Sequence, residues 1–288
     1  MEKQMKIAVY GSRSQHDYAD KLRRLILGLV LDGAMIVMHE KLYDYLVHDR
    51  QLSLPGVQRV VLFPDDVEFV ISVGGDGTFL RTVAWQGGNR VPVLGINTGH
   101  LGFLTALTID DALADLTGIM RCDFRCDKVA MLQVEAEGLR GADMALNEVV
   151  VAKEDSASMI NVLATLNGKR VANYRADGLV VSTPTGSTAY NLSVGGPIVE
   201  PNAAVWVLSP IAAHSLTLRP LVVCDNGELI LRVDGRGERF RLVLDGRQTS
   251  LLVGTEIKIR RAPADVTILQ RHNRDFTDII GEKLMFNE

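Results

Sequence analysis

Polar and apolar positions alternate in two different rhythms, and the change of rhythm divides the chain. In the first third, short apolar runs are separated by stretches with helical periodicity. Lys6–Tyr10 reads as a strand ending at Gly11-Ser12. Asp17–Leu31 follows, with Leu22, Leu25, Ile26 and Leu29 spaced along one helix face. Asp32-Gly33 stops it and Met35–Met38 forms the next strand. Val67–Val73, a helix over Phe79–Gln86, and Val91–Ile96 continue the alternation, and Ile109–Met120 adds one more amphipathic helix. Strands alternating with helices predict a parallel sheet with crossover helices, a Rossmann-like α/β domain.

From about Asp127 the pattern is strand after strand. Val129–Glu135, Ala145–Ala152, Ile160–Leu166 and Arg170–Tyr174 are separated by turns, of which Asn167-Gly168 is a strong hairpin signal. Further turns fall at Gly138–Gly141, Asp225-Asn226-Gly227, Asp234-Gly235 and Asp245-Gly246. Closely spaced turns between short apolar runs predict an all-β, sandwich-like domain. Phe276–Leu284 turns helical again. The expected division is therefore an α/β domain over residues 1–125, a β-rich domain over 126–270, and a return to the first domain over 271–288. There is no internal repeat and no low-complexity linker.

Composition narrows the function classes. A chain of 288 residues with 47% hydrophobic and 23% charged positions has the balance of a soluble globular protein. A net charge of −4 shows no basic excess for nucleic acid. Three cysteines, Cys122, Cys126 and Cys224, favour neither a disulfide framework nor a zinc site. No apolar run approaches the roughly 20 residues that span a membrane, and the first residues lack the apolar core of a signal peptide. The cytoplasm is the expected compartment.

Four constellations carry chemistry. Gly74-Gly75-Asp76-Gly77-Thr78 follows the apolar run Val67–Val73 directly, so two glycines and a carboxylate stand at a strand's end. Glycine lets backbone approach a ligand closely, and a following helix would aim its first N–H groups at phosphate. A plain strand-to-helix turn with a solvent-facing carboxylate would also account for it, and neither the Walker nor the dinucleotide glycine pattern is present. Gly95-Ile96-Asn97-Thr98-Gly99-His100-Leu101-Gly102-Phe103 also follows a strand, so it is expected beside the first loop. Its His100 could serve as a base or simply be a loop residue. Asn147-Glu148 lies in an otherwise apolar segment, where an unpartnered carboxylate is expensive. A pair of ribose hydroxyls would suit both side chains, as would an exposed face. Last, the run from Ala176 to Pro197 carries an apolar strand into Thr183-Pro184-Thr185-Gly186-Ser187-Thr188, then a short helix with Tyr190, then Gly195-Gly196. Helix capping by Ser187 or Thr188 explains one hydroxyl but not the whole cluster.

Taken in order, GGDGT, NTGHLGF, LNEVVV and DGLVVSTPTGSTAYNLSVGGPI resemble the bacterial-type NAD kinases of the ATP-NAD kinase family. The resemblance covers essentially the whole chain. GGDG alone is shared with related kinases that act on lipids and sugar phosphates. The resemblance implies Mg²⁺-dependent transfer of the ATP γ-phosphoryl group to the 2′-hydroxyl of the adenosine ribose of NAD, in an active site between two domains. It makes Asp76 the catalytic base and Gly74, Gly75, Gly77 and Thr78 the phosphate loop. It assigns NAD binding to Asp76, Gly77, Arg81, Asn147, Glu148, Arg175, Asp177, Thr188, Ala189, Tyr190, Asn191, Leu192, Ser193, Ala212 and Gln248. Within that set, Asn147 and Glu148 take ribose hydroxyls, Asp177 the nicotinamide end, and Tyr190 a base. The metal would come with ATP, with no metal-ligating residue assigned. A homodimer or homotetramer is implied, with NAD and ATP as substrates and neither nucleic acid nor membrane as partner. Two departures stand out. Ala213 replaces a proline of the family, and the late Asp-Gly-Gln reads Asp245-Gly246-Arg247-Gln248, leaving that contact to Arg247 or Gln248. Two other readings compete: a kinase of the same superfamily acting on another hydroxyl, and a catalytically silent NAD(P)-binding sensor.

Overall fold

The computed structural model describes residues 4–13, 18–87, 91–99, 102–139, 141, 143–154, 159–215 and 217–284. It divides into two compact units, Met1–Lys128 with Val266–Glu288, and Val129–Asp265. The expected helix start at Asp17 and the loop residues His100 and Leu101 lie outside the described residues.

In the first unit the apolar runs line up in the spatial order Val57–Val60, Met35–His39, Lys6–Gly11, Phe69–Val73, Val93–Asn97, Val266–Gln270 and Arg125–Val129. The pairings from Val57–Val60 across to Val266–Gln270 are all parallel. Strands covered on both faces are near-continuous apolar runs. Phe69–Val73 and Val93–Asn97 are accordingly buried throughout. The first five strands stand in the order 3-2-1-4-5, the doubly wound arrangement, with its switch point between Lys6–Gly11 and Phe69–Val73. Helix Ala19–Leu31 buries Leu22, Leu25, Ile26 and Leu29, the face that the periodicity marked.

Three boundaries in this unit differ from the sequence expectation, each for a local reason. The helix expected from Phe79 begins at Asp76, because the Gly75 carbonyl already accepts the N–H groups of Thr78 at 2.8 Å and Phe79 at 3.2 Å. The single helix expected over Ile109–Met120 is two, Ile109–Ala114 and Leu116–Arg121. Asp115 ends the first and caps the second by accepting the Gly118 N–H at 2.9 Å. The return to this unit starts at Val266, not at 271. Four of the five residues of Val266–Gln270 are buried, since the strand is interior to the sheet.

The second unit holds two six-stranded sheets. One runs Leu221–Cys224, Val205–Ile211, Gly178–Ser182, Glu148–Lys153, Arg239–Leu244, Arg247–Leu252. The other runs Lys169–Ala176, Ile160–Leu166, Glu228–Gly235, Glu256–Arg261, Leu132–Ala136, Asp143–Ala145. Neighbouring strands pair antiparallel in both. Both sheets contribute to one core, with Val149, Val181, Leu208 and Trp206 from the first and Val162, Leu231, Val233 and Ile259 from the second. This is a sandwich. Asn167-Gly168 turns with φ of 51° and 75°, and Asp245-Gly246 with φ of 46° and 80°. Both are left-handed pairs of the kind that suit a two-residue hairpin. Asp234-Gly235, expected as a turn, instead ends the strand Glu228–Gly235. Val129–Glu135 is not one strand, since Arg125–Val129 and Leu132–Ala136 belong to different sheets. Among the described residues no helix is long and apolar enough to cross a membrane.

Leu25 is fully buried on the helix face against the parallel sheet, while Leu31 at the same helix's end is 86% exposed. Leu25→Ala should lower stability by about 2–5 kcal/mol, and Leu31→Ala by about 0.5 kcal/mol or less. Urea midpoints of the two variants check this.

Candidate functional site

The first unit assembles two of the four constellations at the switch point of its sheet. Gly74 continues the strand Phe69–Val73 with φ at 142°, and a Cβ there would fall 2.5 Å from Thr78 Oγ1. Helix Asp76–Gln86 then begins, and its ladder starts at the Gly75 carbonyl. The N–H groups of Asp76 and Gly77 precede that ladder and face outward as the positive end of the helix. A Cβ on Gly75 would meet no protein atom within 4 Å, so the fold alone does not require glycine there.

The Asp76 carboxylate is clamped by the second loop. Phe103 N–H donates to Oδ2 at 2.9 Å and Leu104 N–H to Oδ1 at 3.1 Å. Gly102 makes this possible, because a Cβ there would lie 2.0 Å from Asp76 Oδ1. The loop has its own frame. Buried Asn97 accepts the Gly99 N–H at 2.6 Å, and buried Thr105 accepts the Gly102 N–H at 2.8 Å. Thr105 carries no signal in the sequence beyond its place after the motif, and its role emerges only in three dimensions. Thr78 is buried and accepts a hydrogen bond from the exposed Arg81 at 3.0 Å.

The other two constellations meet in the second unit. The strand expected over Ala145–Ala152 is interrupted: Leu146 and Asn147 form a bend, and Glu148–Lys153 starts after it. The Thr183–Ser187 turn is stitched to that bend. Thr183 donates through its N–H to the Asn147 carbonyl at 2.9 Å and through Oγ1 to the Leu146 carbonyl at 2.6 Å. Three oxygens in this cluster are buried without a partner among the described residues: Asn147 Oδ1, Glu148 Oε2 and Thr185 Oγ1. An unsatisfied buried polar atom costs about 1–3 kcal/mol, so three in one place call for a ligand that would satisfy them. Burial first, and the nearby Asp245 charge second, push the Glu148 carboxyl up to about 7, while the Tyr190 N–H acts to lower it.

Several expected residues serve the frame. Asn191 is fully buried; its Nδ2 donates to the Ser187 and Pro197 carbonyls, and its Oδ1 accepts from Ser209 at 2.7 Å. Its side chain holds the turn, and its carbonyl accepts the Gly196 N–H at 2.9 Å. Ser187 does not cap a helix; its Oγ exchanges hydrogen bonds with Val199. Thr188 bonds the Thr185 carbonyl, and helix Tyr190–Ser193 has no side-chain cap. Ala189 and Leu192 are half-buried, whereas Tyr190 and Ser193 are exposed. Arg247 and Gln248 are both exposed, but Arg247 is committed to Asp143 at 2.7 Å and to the Met144 carbonyl.

Arg175, Asp177 and Ala212 form a separate group. Asp177 N–H donates to the Ile211 carbonyl at 2.9 Å and His214 N–H to the Arg175 carbonyl at 3.1 Å. Ala212 is held at φ 46°, and Lys153 pairs with Asp177 at 2.8 Å. Glu148 pairs with Ser182 at one end of its strand and Ala152 with Gly178 at the other. The group around Asp177 is thus roughly 15 Å along the sheet from Glu148.

The missed residue of greatest consequence is Asp245. Read from sequence it is half of a turn, yet its carboxylate accepts the N–H groups of Leu146 at 2.6 Å, Asn147 at 2.9 Å and Glu148 at 3.1 Å.

Known proteins resemble the chain at every level. Residues 16–124 match the model of the ATP-NAD kinase N-terminal domain and residues 146–270 that of the ATP-NAD kinase C-terminal domain. An NAD kinase of Porphyromonas gingivalis is 40% identical over 282 residues, 98% of each chain. One of Bacteroides fragilis is 36% identical over 287 residues, again 98% of each. Among solved structures, an NAD kinase from Archaeoglobus fulgidus in complex with ATP aligns with a TM-score of 0.74 at 26% identity, over 96% of this chain and 98% of that one. Yeast NADH kinase complexed with NADH aligns with a TM-score of 0.87 at 22% identity, over 100% and 89% of the two chains, a likeness of fold. Two domain models that share out most of the sequence, and relatives alike from end to end, make this chain a member of the ATP-NAD kinase family.

Proposed function

We propose that the chain transfers the γ-phosphoryl group of ATP to the 2′-hydroxyl of the adenosine ribose of NAD. The observation that carries this reading is the clamped carboxylate of Asp76, fixed by the Phe103 and Leu104 N–H groups at the switch point of a doubly wound sheet. An alcohol attacks phosphorus well only when a base takes its proton. In the step, the 2′-oxygen bonds to the γ-phosphorus, the bond from that phosphorus to the β–γ bridging oxygen breaks, ADP leaves, and the proton passes to Asp76. The helix start at Asp76 and Gly77 offers main-chain N–H groups to phosphate oxygens, and Arg81 a guanidinium. Mg²⁺ dehydrates reluctantly and is held mainly by substrate phosphates with one or two carboxylates, so a single carboxylate at a glycine turn suits a cation that arrives on ATP and neutralises its charge.

On the acceptor side, the unpartnered oxygens of Asn147 and Glu148 support the ribose reading, since vicinal hydroxyls are donors that would satisfy both. Gly186 N–H is already used by Thr183 Oγ1 at 3.0 Å, which keeps the turn rigid while Tyr190 stays exposed for stacking. Asp177 is assigned to the nicotinamide end and Gln248 to a further contact.

Incubation with ATP, Mg²⁺ and NAD, with NADP detected by an NADP-specific dehydrogenase, tests the whole reading; no NADP with any phosphoryl donor would sink it. Asp76→Asn should lower kcat by about 10²–10⁴-fold while NAD still binds. Gly102→Ala must displace the Asp76 carboxylate and should cost roughly 10²-fold in kcat, with folding intact by circular dichroism. Glu148 supplies the pH dependence. Its carboxyl titrates near 7, and only the ionised form accepts two hydroxyl donors. kcat/KM for NAD should therefore rise as pH increases through about 7, and Glu148→Gln should flatten that rise. Folding stability has the opposite sign: it is greatest below the usual carboxylate range and is lost as pH rises through 7, because the folded state disfavours the charge.

A further inference from the structure

The bend that presents Asn147 and Glu148 has no regular secondary structure of its own. It lies between the strands Asp143–Ala145 and Glu148–Lys153, which belong to different sheets. A segment that changes sheets loses its ladder partners, and its main-chain N–H groups need acceptors from elsewhere. All three N–H groups from Leu146 to Glu148 find the same acceptor. Asp245 Oδ2 takes Leu146 at 2.6 Å, and Oδ1 takes Asn147 at 2.9 Å and Glu148 at 3.1 Å. The bend's carbonyls go to Thr183.

The hairpin turn that carries Asp245 is itself anchored. Asp245 N–H donates to the Glu148 carbonyl at 3.2 Å, so side chain and main chain grip the same stretch. Its φ of 46° is in the left-handed region, which the short polar side chains of Asp and Asn tolerate best. One oxygen with two donors and the other with one is the arrangement of an ionised carboxylate, which is acceptor only. Burial pushes the Asp245 carboxyl above its ordinary range, the Leu146, Asn147 and Glu148 N–H groups and then the Arg247 charge act to lower it, and its own charge raises Glu148.

We propose that Asp245 is a positioning residue for dinucleotide binding: by accepting three consecutive main-chain N–H groups it fixes the bend in which Asn147 Oδ1 and Glu148 Oε2 are left for ribose hydroxyls. This rests on the ribose-binding reading of Asn147 and Glu148. An amide cannot replace the carboxylate, because whichever way it turns, its NH₂ group faces at least one of the three donors. The same substitution removes the negative charge that raises Glu148. A residue that merely stabilised the fold would not produce that second effect.

The test compares wild type, Asp245→Asn and Glu148→Gln as full-length protein, with circular dichroism as the folding control. Asp245→Asn should raise the KM for NAD roughly tenfold or more, the loss of a charge-assisted hydrogen bond, and leave the KM for ATP within about twofold. The pH midpoint of kcat/KM for NAD should fall by roughly one unit. A folded Asp245→Asn with wild-type KM for NAD and an unmoved midpoint overturns the proposal. If Glu148→Gln also leaves NAD affinity unchanged, the ribose reading beneath it has failed as well. If Glu148→Gln weakens NAD and Asp245→Asn does not, only the role of Asp245 fails. Should Asp245→Asn not fold, wild type decides. The amide signals of Leu146, Asn147 and Glu148 should shift together in an NMR pH titration, over the range in which the Kd for NAD changes. Independent or absent shifts overturn the proposal.

Discussion

Each unit keeps a working loop still by hydrogen-bonding a carboxylate to consecutive main-chain N–H groups. In the first, Asp76 receives Phe103 and Leu104. In the second, Asp245 receives Leu146, Asn147 and Glu148. The physical need is the same in both. A loop that leaves a sheet gives up its ladder partners, and a buried N–H without an acceptor is costly. A carboxylate has enough lone pairs to serve several donors at once. The difference lies in what is held. The N–H groups hold the Asp76 side chain, whereas the Asp245 side chain holds the main chain. Asp76 is thereby the presented group and Asp245 the support.

The surrounding architecture follows from these two clamps. In the first unit the strands Phe69–Val73 and Val93–Asn97 are neighbours in register, from Val70↔Val93 to Val73↔Ile96, so the loops that follow them emerge side by side. In the second, Glu148 pairs with Ser182, which brings the Thr183–Ser187 turn against the bend. Asn191, Ser187 and Thr183 spend their polar atoms on that frame, which leaves Asn147, Glu148 and Thr185 with unsatisfied oxygens.

Much of this was legible in the chain. The helix face Leu22–Leu29, the parallel strands, the Asn167-Gly168 hairpin and the helix Phe276–Leu284 follow from periodicity and turn chemistry, which are local. What escaped depends on tertiary partners. Asp76 as a helix start hid behind two glycines, since pattern reading waits for the first apolar residue. The bend at Leu146-Asn147 hid because apolar residues flank it on both sides and mimic one continuous strand. Asn191 looks like a ligand contact in a hydroxyl-rich run, and only the carbonyls of Ser187 and Pro197 reveal its structural use. Asp245 lies 97 residues from Glu148, and no local pattern reports that contact.

The strand Val266–Gln270 has a consequence for how the chain is made. It sits between Val93–Asn97 and Arg125–Val129 in the parallel sheet, yet it is synthesised only after the whole of Val129–Asp265. On a ribosome adding roughly 5–20 residues per second, the first unit waits on the order of ten seconds with a gap in its sheet. During that interval Ile96 and Asn97 are paired with Leu107–Thr108 but Val93 and Leu94 lack their partner, and an unpaired apolar edge is a template for association with other chains. The sandwich, by contrast, is complete as soon as its last strand emerges. The nascent protein therefore acquires its second unit first, and the unit that begins the sequence is the last to close.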